Sequence, residues 1–147
     1  MSAVRTLSVA HAEVKAEITR TDSKASLLLA FIGAVLAGVW SAGKDASLTP
    51  WALVPGLAGV AVLVGAAALL LSSVRPNLSG RHGFPLWATL TPEQIREAVA
   101  TDTATDIAGL SRIAVLKFTT LRRAIDLTRI GGALLIVATV ITLGGAA

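Results

Sequence analysis

Residues 51–74 read WALVPGLAGVAVLVGAAALLLSSV, and none of them is Asp, Glu, Lys, Arg or His. As a helix the stretch would measure about 36 Å at about 1.5 Å per residue, enough to cross a hydrocarbon core of about 30 Å. Two further stretches are equally free of charge and of histidine, Ala25–Ala42 and Ile130–Ala147. The chain has 147 residues, 54% of them hydrophobic and 15% charged, and a mean hydropathy of +0.73. Soluble domains carry about 25% charged residues, so this deficit points to lipid as the solvent. The expected fold is an all-α membrane protein. An N-terminal amphipathic helix (1–24) leads into a first span (25–42). An outer link (43–50) and a second span (51–74) complete a hairpin. A loop with helices (75–129) follows, and a third, C-terminal span (130–147) ends the chain. The first span is not expected to be a cleaved signal sequence, because 24 polar, helix-like residues precede it.

The basic residues set an orientation. Arg5, Lys15, Arg20 and Lys24 precede the first span, eight more lie in 75–129, and the link 43–50 holds only Lys44, beside Asp45. Lys and Arg stay on the cytoplasmic side. The N-terminus and residues 75–129 are therefore expected in the cytoplasm, with the link outside. The formal net charge of +4 then sits on one face, suited to anionic headgroups or an anionic ligand. There is no cysteine, which excludes disulfides, thiol catalysis and cysteine metal sites.

Local patterns refine this outline. Val4, Leu7, His11, Val14 and Ile18 recur at spacings of three and four, a coiled-coil-like seam that no Pro or Gly interrupts before Gly33. Gly33, Ala34, Ala37 and Gly38 in the first span, and Gly56, Ala58, Gly59 and Gly65–Ala68 in the second, allow close helix approach. Trp40 and Trp51 flank the link as interfacial anchors. Pro76, Gly80, Gly83 and Pro85 mark a loop, which also holds Phe84 and Trp87. Thr91-Pro92-Glu93-Gln94 predicts a helix start, with Thr91 as N-cap and Gln94 closing a capping box. That short helix should reach about Ala100. Another should begin near Asp102 or Thr105 and run into the third span. Its predicted apolar face is Ile107, Leu110, Ala114, Phe118, Leu121 and Ile125.

Two polar clusters are candidates for chemistry. The first is Arg20, Asp22 and Lys24 at the entrance to the first span. The bases are suited to a phosphate, with Asp22 orienting them; the bland alternative is a headgroup anchor in which Asp22 pairs with a neighbouring base. The second is Arg112, Lys117, Arg122 and Arg123. Lys117 lies at the edge of the apolar face, where it can point toward a neighbouring helix and contact a phosphate; the alternative is a basic helix that enforces topology. His11 and His82 lie too far apart for a metal motif. No phosphate loop, nucleophile elbow or zinc helix is present, and the spans offer no charge for a proton relay. No catalytic or metal-binding residue is expected.

The order of parts carries a resemblance. It runs from the amphipathic helix to Arg20-x-Asp22-x-Lys24-Ala25-Ser26, two spans and Arg75-Pro76. Then come Leu110-Ser111-Arg112-Ile113-Ala114-x-x-Lys117, Leu121-Arg122-x-Ala124 and a last span. This resembles the small transmembrane effectors of Pycsar, the pyrimidine cyclase system for antiphage resistance. The resemblance implies a multi-pass protein of the bacterial plasma (inner) membrane that is not an enzyme and needs no cofactor. A cognate pyrimidine cyclase would supply cCMP or cUMP on infection. Binding would make the effector impair the membrane and abort the infection. The implied partners are that cyclic mononucleotide, the lipid bilayer and further copies of the chain, and not nucleic acid. On this view Arg20, Lys24, Arg112, Lys117, Arg122 and Arg123 are the phosphate contacts and Asp22 orients them. The rival readings are a ligand-independent, holin-like membrane disruptor and a scaffold subunit of a membrane complex.

Overall fold

A computed structural model of the chain describes residues 2–44, 50–74, 88–101 and 103–144. Four helices account for nearly all of them: α1 (Ser2–Gly43), α2 (Pro50–Val74), α3 (Pro92–Thr101) and α4 (Thr103–Gly144). No strand occurs among the described residues. Helices α1, α2 and α4 each hold a segment long and apolar enough to cross a membrane. At 42 residues apiece, α1 and α4 measure about 63 Å, twice the hydrocarbon thickness.

The chain divides into two compact units, Met1–Asp22 with Arg75–Phe118, and Ser23–Val74 with Thr119–Ala147. The second unit is the apolar one. Its core is Ala25 and Ile32 from α1, Leu63, Ala66 and Leu70 from α2, and Leu121 and Ala124 from α4. Least exposed positions recur every three or four residues on all three helices. They are 25, 28, 32, 35 and 39 on α1, 52, 56, 59, 63, 66 and 70 on α2, and 121, 124, 128, 131, 135, 138 and 142 on α4. A repeat averaging 3.5 residues is the seam of knobs-into-holes packing in left-handed bundles. Two glycines occupy this seam where side chains have no room. A Cβ on Gly59 would lie 2.9 Å from the Gly131 carbonyl oxygen, and one on Gly131 would lie 2.8 Å from Leu63 Cγ. The backbones of α2 and α4 therefore touch. By contrast, a Cβ on Gly33 or Gly38 would meet nothing within 4 Å.

Outside the seams the apolar unit presents large hydrophobic side chains, among them Leu27, Phe31, Trp40, Trp51, Val54 and Leu143. Water would penalise this surface; a bilayer covers it. Three threonine hydroxyls on α4 are satisfied within their own helix. Thr128, Thr139 and Thr142 donate to the carbonyls of Ala124, Leu135 and Ala138 at 2.7–2.9 Å, which removes the cost of an unpaired donor in lipid.

In the first unit α3 begins with the predicted reciprocal cap. The Thr91 N–H donates to Gln94 Oε1 at 2.9 Å and the Gln94 N–H donates to Thr91 Oγ1 at 3.4 Å. The helix ends at Thr101, one residue beyond the expected limit. The predicted apolar face of α4 needs a correction. Phe118 is 38% and Ile125 42% exposed, while Lys117 is half-buried and Ala124 fully buried. The inward register is 107, 110, 114, 117, 121, 124, 128. A strict 3-4 repeat carries the seam through a lysine and an alanine, and leaves the adjacent Phe and Ile outside it.

Candidate functional site

Seven residues were expected at the ligand site, six bases as phosphate contacts and Asp22 to orient them, and the two units divide them. Arg20, Asp22, Arg112 and Lys117 belong to the first, Lys24, Arg122 and Arg123 to the second. In the second unit all three bases are exposed on helix surfaces. In the first, Arg20 and Arg112 are exposed too, and Arg20 Nη1 donates to Glu17 Oε2 at 3.3 Å, one turn away on the same helix. A surface pair of that kind contributes about 0–1 kcal/mol.

Asp22 and Lys117 are brought together across 95 residues of sequence. Lys117 Nζ donates to both carboxylate oxygens of Asp22, at 2.6 Å to Oδ1 and 2.8 Å to Oδ2. Helix α1 supplies Asp22 one position beyond Thr21, which is 2% exposed and donates its hydroxyl to the Glu17 carbonyl at 2.9 Å. That back-bond satisfies the threonine hydroxyl, so the α1 face that carries it can be buried without an unpaired donor. Helix α4 supplies Lys117 from its seam, between Ala114 and Leu121. The pair is therefore fixed by the packing of two helices.

Burial makes the pair asymmetric. The lysine side chain is 22% exposed and the aspartate side chain 44%. Among the ten basic residues whose side chains are described, Lys117 alone is not exposed. An ammonium withdrawn from water needs an anion beside it, whereas a carboxylate nearly half in solvent tolerates losing its partner. Charge-assisted bonds of this length are the stronger class of hydrogen bond. Chemically, the arrangement is one cationic donor aimed between helices and already neutralised by an internal carboxylate.

Glu17 was not singled out from the sequence, yet it accepts from Arg20 through its side chain and from Thr21 through its carbonyl. The Glu17/Arg20 spacing of three was the available signal. Phe84 and Trp87 of the expected loop lie outside the described residues, as does the Gly-rich stretch 80–85. Phe118, on α4, is part-exposed. No group of three or more potential metal ligands occurs among the described residues.

The apolar unit contains a cavity of about 310 Å³. It is lined almost entirely by aliphatic side chains, including Val39, Leu53, Val60 and Leu135. Its two threonines already spend their hydroxyl protons on backbone carbonyls. A phosphate there would be buried without a donor, which is prohibitive. Among the described residues, the groups that could hold an anion are the charged ones and not this cavity.

A family model described as "Pycsar effector protein domain" matches residues 6–144 of the chain. No curated protein and no solved structure matches it.

Proposed function

Because the chain belongs to the Pycsar effector proteins, membrane effectors of antiphage defence, we propose that a cyclic pyrimidine mononucleotide, cCMP or cUMP, activates it to impair the bacterial inner membrane. The family match over 139 of the 147 residues carries this reading. The physical arrangement supports it. A cyclic mononucleotide bears one phosphodiester charge, which suits the chain's basic excess and the half-buried ammonium of Lys117. The effector acts without catalysis, by changing the packing of its spans, and in the inner membrane with residues 1–24 and 75–129 in the cytoplasm. Several copies act together, since a three-span chain encloses too little volume to breach a bilayer alone. Arg20, Lys24, Arg112, Arg122 and Arg123 add to the field that draws the anion in. A ligand can drive such a change only by binding one arrangement more tightly than the other.

Thermal stability of the detergent-purified chain, measured against cCMP, cUMP, cAMP and cGMP, tests the proposal. A ligand at 100 times its dissociation constant adds about 2.7 kcal/mol. Stabilisation by a pyrimidine cyclic nucleotide, with loss of membrane potential in cells supplied with it, is the expected result. No shift with any of the four would sink it and favour a ligand-independent disruptor.

A further inference from the structure

We infer that Asp22 is a built-in competitor for the nucleotide phosphate: its carboxylate occupies the Lys117 ammonium in the unliganded chain and must be displaced on binding. The inference rests on the proposed activation by a cyclic nucleotide and specifies how that site is regulated.

Three observations carry it. Lys117 is the sole described basic residue that is not exposed. Its ammonium bonds both oxygens of Asp22, at 2.6 and 2.8 Å, so the direction from which an anion would approach is taken by a carboxylate. Exposure is unequal, 22% for the lysine and 44% for the aspartate. When a phosphodiester takes over the ammonium, the lysine keeps a counter-charge and the aspartate finds water, so the exchange costs little. A phosphodiester monoanion and a carboxylate present the same pair of oxygens and the same charge to one ammonium. The internal carboxylate raises the nucleotide concentration needed for binding, and thereby sets the threshold of the response.

The test uses the full-length chain in detergent, with cCMP and cUMP titrated calorimetrically. Asp22→Asn keeps the shape of the side chain and removes its charge. It should bind the cognate nucleotide about fivefold more tightly than the wild type, the equivalent of an ion pair worth about 1 kcal/mol. Asp22→Glu, which retains the competitor, should bind within twofold of wild type. Glu93→Gln, which removes a carboxylate that pairs with Arg96, outside the proposed binding residues, should leave affinity unchanged. Lys117→Met should lose binding while still melting cooperatively. Equal or weaker binding by Asp22→Asn, with the wild type binding normally, overturns the competition and leaves the proposed function standing. Absence of binding by the wild type itself removes the proposed function and this inference with it. Should Asp22→Asn fail to fold, wild-type chain labelled at its five aspartate carboxyl carbons decides the matter. Saturating nucleotide should shift the Asp22 resonance, identified by its loss in Asp22→Glu; an unmoved resonance overturns the inference.

Discussion

At Gly131 the cost of one methyl group can be argued atom by atom. A Cβ there would press on Leu63 Cγ at 2.8 Å and on the Gly59 carbonyl at 3.1 Å. One at Gly59 would press on the Gly131 carbonyl at 2.9 Å, and backbone cannot swing aside. Gly131→Ala and Gly59→Ala are each expected to destabilise the chain by about 1–3 kcal/mol, the usual cost of overpacking. Thermal melting in detergent reads the effect. Gly33→Ala and Gly38→Ala face open space and should be neutral, or more stable by up to about 1 kcal/mol through helix propensity. Equal losses at all four positions would show that the close approach is not what matters. The sequence marked Gly59 among small residues but could not rank it above Gly33, because composition does not say which face of a span meets a neighbour. Lys117 was legible only in part. Its place at the edge of the apolar face was readable from the helical angle, but its carboxylate lies 95 residues away, beyond any periodicity.

Helix boundaries depend on local chemistry, and here local chemistry was sufficient to read. Thr91 and Gln94 close the cap expected of them, and α1 runs unbroken from the amphipathic segment into the apolar one. Helix α3 has only ten residues, shorter than the roughly 12–15 at which isolated helices hold in water. Its cap should therefore matter more than average. Thr91→Ala is expected to lose about 0.5–2 kcal/mol of local stability. Hydrogen exchange of the α3 amides should quicken, with the amides of α2 unaffected; unchanged α3 protection would show that packing alone holds this helix. The face of α4 was harder to read. Choosing apolar residues favoured Phe118 and Ile125, whereas packing follows a 3.5-residue repeat through Lys117 and Ala124. A 3-4 repeat that passes through Ala114 and Leu121 falls on Lys117 and Ala124, one residue before Phe118 and Ile125, so the register decides what packs and the apolar character of a single residue does not.

Across the whole molecule, the proposed orientation makes a simple forecast. The chain contains no cysteine, so single substitutions report their own side of the membrane. Lys44→Cys, in the outer link, should react with an impermeant maleimide added to intact cells, and Glu13→Cys only after permeabilisation. The reverse pattern would overturn the assignment made from the distribution of Lys and Arg. The touching glycines have a mechanical meaning as well. Where two backbones meet at Gly59 and Gly131, no side chain remains to compress, so the helices cannot draw closer or slide past without first separating. They can still scissor about that point. The cavity lies beside the same two helices, mostly to one side of the contact, among residues 52–60 and 135–143, and α1 borders it with Val39, Ala42 and Gly43. A fixed fulcrum with a void along one pair of arms lets a small change of angle close or widen a gap at the far ends while the crossing stays where it is.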